Sequence, residues 1–260
     1  MILQALRAGG EAMFLPGYHR RMARIGTLGT YTRIAYGPHA RQYLLHRPAR
    51  RPAAPAVVWW HGGGWQFGSP DRLLGFGEYF HRRGYAVYLA SHRRLPRFRG
   101  SALLADALAA RRLVEQRHPG PRRLLLGGVS SGGHLAALCA LRQNRTHAPS
   151  SVAGLLTCAA PLSLGDLPWS PTLRRLAGSG SSPQRGSLDP LSCLTSPPDF
   201  PALMLHGTAD GLVPYRAAQR FWRKAERIGW TSLQAVTLPG GSHLDANEWV
   251  FQREAPHEVH

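Results

Sequence analysis

The chain has 260 residues, 43% of them hydrophobic, enough for one well-buried core, and no internal repeat or linker divides it. Lys and Arg number 32 against 14 Asp and Glu, a formal charge of +18, and Lys224 is the single lysine, so the positive charge is almost wholly guanidinium. The arginines are scattered, with pairs such as Arg20-Arg21, Arg50-Arg51, Arg93-Arg94 and Arg122-Arg123 as their densest groups; without a recognised binding module this argues against a nucleic-acid partner.

Three cysteines, Cys139, Cys158 and Cys193, lack metal-ligand spacing, and the first two sit in apolar surroundings that read as core. The N-terminal stretch is interrupted by Arg7 and Glu11 too early for a signal-peptide apolar region, and no run approaches a membrane span. A cytoplasmic protein without stable membrane insertion is the expectation.

In chain order, residues 1–30 form an N-terminal segment that can serve as a partial cap, followed by the main folded unit over 31–260. Tyr31 to Tyr36 and Gln42 to Leu45 read as an opening hairpin or edge strands. Strands then alternate with helices. Apolar strands are expected at Ala56 to Trp60, Tyr85 to Ala90, Arg123 to Leu126, Val152 to Cys158, Ala202 to Leu205 and Leu233 to Leu238, and helices at Leu73 to Arg83, Ala102 to Arg117, His134 to Arg142 and Tyr215 to Ile228. The near-continuous apolarity of the middle strands indicates a parallel sheet covered on both faces, an α/β architecture. Ser69-Pro70-Asp71 supplies a cap, a first-turn proline and an acidic first turn, while Gly84 and Gly229 stop two helices. Between Pro161 and Pro201 the sequence turns rich in Gly, Ser and Pro and reads as a long irregular excursion.

Chemistry concentrates at four places. Ser130 lies in Gly128-Val129-Ser130-Ser131-Gly132 between a strand and a helix, a tight turn that lifts a serine hydroxyl above the sheet edge. A serine needs a base, and the base an orienting carboxylate. Of the acidic residues beyond Ser130, Asp210 follows directly on a strand that delivers it to the same edge; Asp189, in "SLDPLS", is the second candidate. Beyond Asp210 only His243, His257 and His260 remain, and the last two lie in a polar tail, which leaves His243 as the base. "HGGGW", His61 to Trp65, follows the strand Ala56 to Trp60, and its glycines let amides approach an oxyanion. Gly63 and Gly64, with the amide of Ser131, are assigned to that hole.

Taken together, "HGGGWQFGSPD", "GVSSGGHLA", "LHGTADGLVP" and "LPGGSH" resemble the α/β-hydrolase superfamily, and within it the esterases with an HGGG motif: the hormone-sensitive-lipase-like, feruloyl-esterase-like and kynurenine-formamidase-like enzymes. The likeness spans roughly residues 30 to 250. It implies an α/β-hydrolase fold, a mostly parallel sheet of about eight strands with helices on both faces, and hydrolysis of small-molecule esters with neither cofactor nor metal. Where such enzymes usually carry a Tyr-Arg pair this chain has Ser91-His92-Arg93-Arg94, and Ser131 stands where alanine is frequent. Asp106 and His134 match positions similarly occupied in relatives and are read as structural. A formamidase using the same triad, and a non-catalytic module binding an acidic ligand, are the alternatives.

Overall fold

A computed structural model of the chain describes residues 10–11, 15–22, 24–25, 29–120, 123–142, 150–179 and 182–251. Most of the partial-cap segment before residue 29, Arg122, His257 and His260 therefore lie outside the described residues. The strands are β1 (Thr32–Ala35), β2 (Tyr43–Arg47), β3 (Ala56–Trp60), β4 (Ala86–Ala90), β5 (Leu124–Val129), β6 (Val152–Cys158), β7 (Ala202–Gly207) and β8 (Leu233–Leu238). They form one sheet in the order β1-β2-β4-β3-β5-β6-β7-β8. The pairings β1 with β2 and β2 with β4 are antiparallel, and every later pairing is parallel.

The helices α1 (Leu74–Arg82), α2 (Gly100–Arg117), α3 (Ser131–Leu141) and α7 (Tyr215–Arg227) occupy the crossovers expected of a parallel sheet. Side chains alternate across β3, so Val58 and Trp60 join a core with Leu103 and Ala107 of α2, Leu135 of α3 and Phe221 of α7. Val57 and Trp59 point the other way and pack with Phe76 and Phe80 of α1 and Val250 near the chain's end. All five β3 residues are buried, which accounts for a run without polar alternation.

The excursion after β6 departs from the irregular loop the sequence suggested. It contains three short helices, α4 (Pro171–Ala177), α5 (Pro183–Leu188) and α6 (Pro190–Cys193). Each begins on a proline in its first turn, where the missing N–H costs nothing. Ser170 and Ser182 cap the first two by accepting from Leu173 N–H and Arg185 N–H. Leu173, Leu176 and Leu188 are buried in the core, so packing rather than propensity holds these helices. Lys224 Nζ, on α7, donates to the Leu191 carbonyl of α6 at 2.8 Å. A second correction concerns Ser69: proline does start a 3-10 turn at Pro70–Leu73, but the Ser69 side chain makes no capping bond.

Candidate active site

Ser130 stands between β5 and α3 with φ 53° and ψ −122°, a left-handed conformation that a non-glycine residue adopts only when its surroundings enforce it. The turn is tight because α3 folds straight back over the sheet: a Cβ at Gly132 would run into the Trp60 carbonyl oxygen. The backbone is anchored by Ser130 N–H, which donates to Cys158 O at 2.8 Å, and by His134 N–H, which donates to Ser130 O at 3.0 Å. The amide of Ser131 heads α3, where it has no intrahelical acceptor.

Asp210 lies in the loop after β7 and His243 in the loop after β8, parallel neighbours whose carboxyl ends open on one edge of the sheet. The loops are knitted together at their base: Thr208 N–H donates to Leu238 O at 3.0 Å and Ala209 N–H to Gly241 O at 2.9 Å. Both side chains are buried. His243 Nδ1 donates to Asp210 Oδ2 at 2.8 Å, which leaves Nε2 as the imidazole's acceptor. Asp210 Oδ2 also faces His206 Nε2 at 3.1 Å, and its Oδ1 accepts from Leu212 N–H at 2.9 Å and Val213 N–H at 2.7 Å. Burial alone would raise the Asp210 carboxyl, but the His243 charge and the hydrogen bonds from His206 and His243 outweigh it and hold the group well below its ordinary value. For His243 burial pulls downward, and the adjacent Asp210 carboxylate and its hydrogen bond, with Glu11, reverse the sign, so the imidazole titrates above its ordinary 6.5.

The glycine loop after β3 is held from behind. Gly63 has φ +123°, and a Cβ there would strike the Phe67 carbonyl. Gln66 N–H and Phe67 N–H both donate to Gly63 O, closing the loop on itself. Trp65 Nε1 donates to His134 Nδ1 at 3.2 Å, and His134 Nε2, which must then carry the proton, lies 2.8 Å from Leu188 O. Burial keeps His134 neutral, lowered to about 4. Arg94 donates to Gly68 O, and the His61 and His92 rings stack with centroids 4.6 Å apart. The Ser91-His92-Arg93-Arg94 segment thus buttresses the glycine loop.

Ser130, Ser131, His243, Gly63 and Gly64 all line one cavity of about 630 Å³. Its remaining walls are largely apolar, including Leu15, Phe67, Phe76, Leu173 and Leu244, with polar side chains such as Arg72, His19, His61 and Asn247 among them. Among the described residues no group of three or more His, Cys, Asp or Glu side chains is placed to hold a metal ion, and no helix is long and apolar enough to cross a membrane.

A family model described as BD-FAE matches residues 44–159, which run from within β2 to just past the end of β6. An acetyl-hydrolase of Streptomyces hygroscopicus is 34% identical over 118 residues, covering 44% of this chain and 38% of that protein, so the chain matches well under half the length of this curated relative. Esterase 2 of Thermogutta terrifontis, phosphonylated by sarin, superimposes with a TM-score of 0.70 at 26% identity over 82% of this chain and 85% of that one. Its propionate-bound form gives a TM-score of 0.68 at 25% identity, covering 84% and 86%. The chain has the α/β-hydrolase fold.

Within this fold the residues singled out from sequence divide cleanly. Ser130, Asp210, His243, Gly63, Gly64 and Ser131 come together at one sheet edge. Asp189, the second acid candidate, does not join them: its Oδ1 accepts from Leu164 N–H at 3.0 Å and its Oδ2 from Ser192 Oγ at 3.0 Å, which pins the excursion. Asp106 is buried and receives the Arg93 guanidinium and backbone N–H together with Gln42 Nε2, a purely structural set of partners. Sequence reasoning missed His206 and Glu11. His206 sits four residues before Asp210 inside a motif already quoted, where it could have been found; Glu11 has no local signal at all.

Proposed function

We propose that this protein is a carboxylesterase-type serine hydrolase that cleaves small carboxylic esters through an acyl-enzyme on Ser130. The observation that carries the reading is the 2.8 Å Asp210–His243 bond, with His243 and Ser130 on the wall of one cavity. Asp210 fixes the imidazole with Nδ1 protonated, so Nε2 is the atom that takes the Ser130 proton as Oγ attacks the ester carbonyl. The carbonyl oxygen gains negative charge, which the amides of Gly63, Gly64 and Ser131 stabilise. His243 returns the proton to the departing alcohol, and water, deprotonated at the same nitrogen, then releases the acid.

The Thermogutta esterase supports this assignment through its phosphonylated and propionate-bound and butyrate-bound forms. By that analogy an organophosphonate is expected to modify Ser130 here, and short acyl groups to fit the cavity. The segment before residue 31 is assigned as a partial cap because Leu15, Tyr18 and His19 line the site. Incubation with a fluorophosphonate followed by peptide mass spectrometry should place the adduct on Ser130. Ser130→Ala should lower ester hydrolysis by about 10³-fold or more while leaving the thermal transition intact. A variant with near-normal turnover removes the nucleophile from this serine.

A further inference from the structure

Glu11 lies 200 residues before Gly211 and 232 before His243, yet it touches the loops of both. Its Oε1 accepts from Gly211 N–H at 3.0 Å and from His243 N–H at 3.2 Å. One carboxylate oxygen therefore joins the residue following the acid to the base itself. The loops leave different strands, and besides the Asp210–His243 bond itself they are tied at Thr208, Ala209 and Gly240. Gly211 and His243 are buried, so their N–H groups need an acceptor, and a carboxylate is a strong one. The second oxygen, Oε2, is buried too and accepts from none of the described residues.

We propose that Glu11 is a positioning residue for the hydrolytic site: it clamps the acid loop to the base loop and sets the electrostatic field at His243 from outside the triad. This rests on the assignment of Ser130, His243 and Asp210 given above. The clamp fixes where the imidazole sits relative to Ser130, and displacement of a reacting group by about 1 Å costs about a hundredfold in rate. The negative charge favours the imidazolium that forms as the serine proton is taken. The other ionisable groups around His243 are Asp210 on the β7 loop, His206 of β7 on the same carboxylate, Asp245 on the following turn, and His19, His61 and Arg72 on the walls of the cavity. Of these, Asp210 is the anion that, with Glu11, acts on the imidazole.

A residue that merely fastens the N-terminal segment would affect unfolding alone, whereas the clamp reaches turnover and its pH dependence. In p-nitrophenyl acetate hydrolysis by the full chain, Glu11→Ala should lower kcat about ten- to a hundredfold with KM changed less than about threefold. Glu11→Gln keeps an oxygen for both N–H donors, so it should recover most of that kcat. Both variants should move the acidic limb of kcat/KM to lower pH, because the anion beside His243 is gone. Should Glu11→Ala fail to fold, Glu11→Gln still reads the limb. Ser130→Ala in the same assay separates the two levels: with it inactive, wild-type kcat and an unmoved limb in the Glu11 variants overturn the clamp alone. With Ser130→Ala fully active, the serine assignment fails, and the His243 imidazole titration followed by NMR decides the clamp. A midpoint that falls in Glu11→Gln supports it, and one that stays put overturns it.

Discussion

Two backbone amides hold one oxygen of Asp210 and two imidazoles hold the other. An asparagine here has no acceptable orientation: turned either way, its NH₂ faces two donors. It must displace the loop or force His243 into the other tautomer, with Nε2 protonated and useless as a base. Asp210→Asn should therefore lower kcat by about 10³- to 10⁴-fold. Asp189→Asn meets a different setting, since an amide can still accept from Leu164 N–H and donate to the Ser192 hydroxyl, and its kcat should stay within severalfold of wild type. Steady-state kinetics on the two variants check the ranking, and the reverse order would transfer the acid role to Asp189. The raised titration of His243 gives the sign of the pH dependence. Only neutral imidazole accepts the serine proton, so raising the folded-state pKa extends the inactive protonated form upward in pH. The acidic limb of kcat/KM is expected to have its midpoint above 6.5; a rate flat from pH 5 to 8 in folded protein would contradict a histidine base.

Among the elements, the segment from β4 into α2 depends most on a single side chain. Asp106 of α2 is buried and binds both the guanidinium and the backbone N–H of Arg93. Its loss leaves a largely enclosed cation without its partner, which costs about 3–5 kcal/mol. Asp106→Ala should show that deficit in urea unfolding, and the glycine loop should loosen with it, because the neighbouring Arg94 and Leu95 are what hold Gly68 and Trp65. A variant as stable as wild type would show that the pair contributes little net stability. Elements of this kind were readable in proportion to how much their own residues decide them. β3, β6 and β8 emerge at Ala56–Trp60, Val152–Cys158 and Leu233–Leu238 with the bounds the apolar runs suggest. β5 runs on through Gly127 to Val129, and α3 starts at Ser131 rather than His134, because glycines that read as a turn are used here for close packing of helix on sheet. The helices α4 to α6 were hidden by Gly, Ser and Pro, although each Ser-Pro or Asp-Pro pair marked a start. The triad candidates were legible from residue type and position after strands. Glu11 was not, since only the closed fold brings it to His243.

At the scale of the molecule, the described residues that bound the cavity include helical residues from 15–22, the glycine loop and the excursion. An acyl chain gains about 0.8 kcal/mol per CH₂ while apolar wall remains to receive it. In a space of about 630 Å³ shared with the alcohol, that gain ends early. Among p-nitrophenyl esters kcat/KM should peak at short acyl groups and fall as chains lengthen, with no jump in rate when micelles are added. A preference for long chains, or a sharp micellar activation, would replace this reading with that of a lipase.

The contact between Glu11 and His243 closes a loop of 232 residues, nearly the whole chain. Pairings such as β1 with β2, or β3 with β4, close far shorter loops and need no knowledge of the distant end. Contacts of such sequence separation are intrinsically slow to form, because the entropy of closure is lost before any interaction repays it. Far-ultraviolet ellipticity should accordingly recover ahead of esterase turnover when the denatured protein is diluted into buffer. On the assignment proposed for Glu11, activity is expected to be a late reporter of folding, one that reaches its full rate only when the first and last tenths of the polypeptide have met.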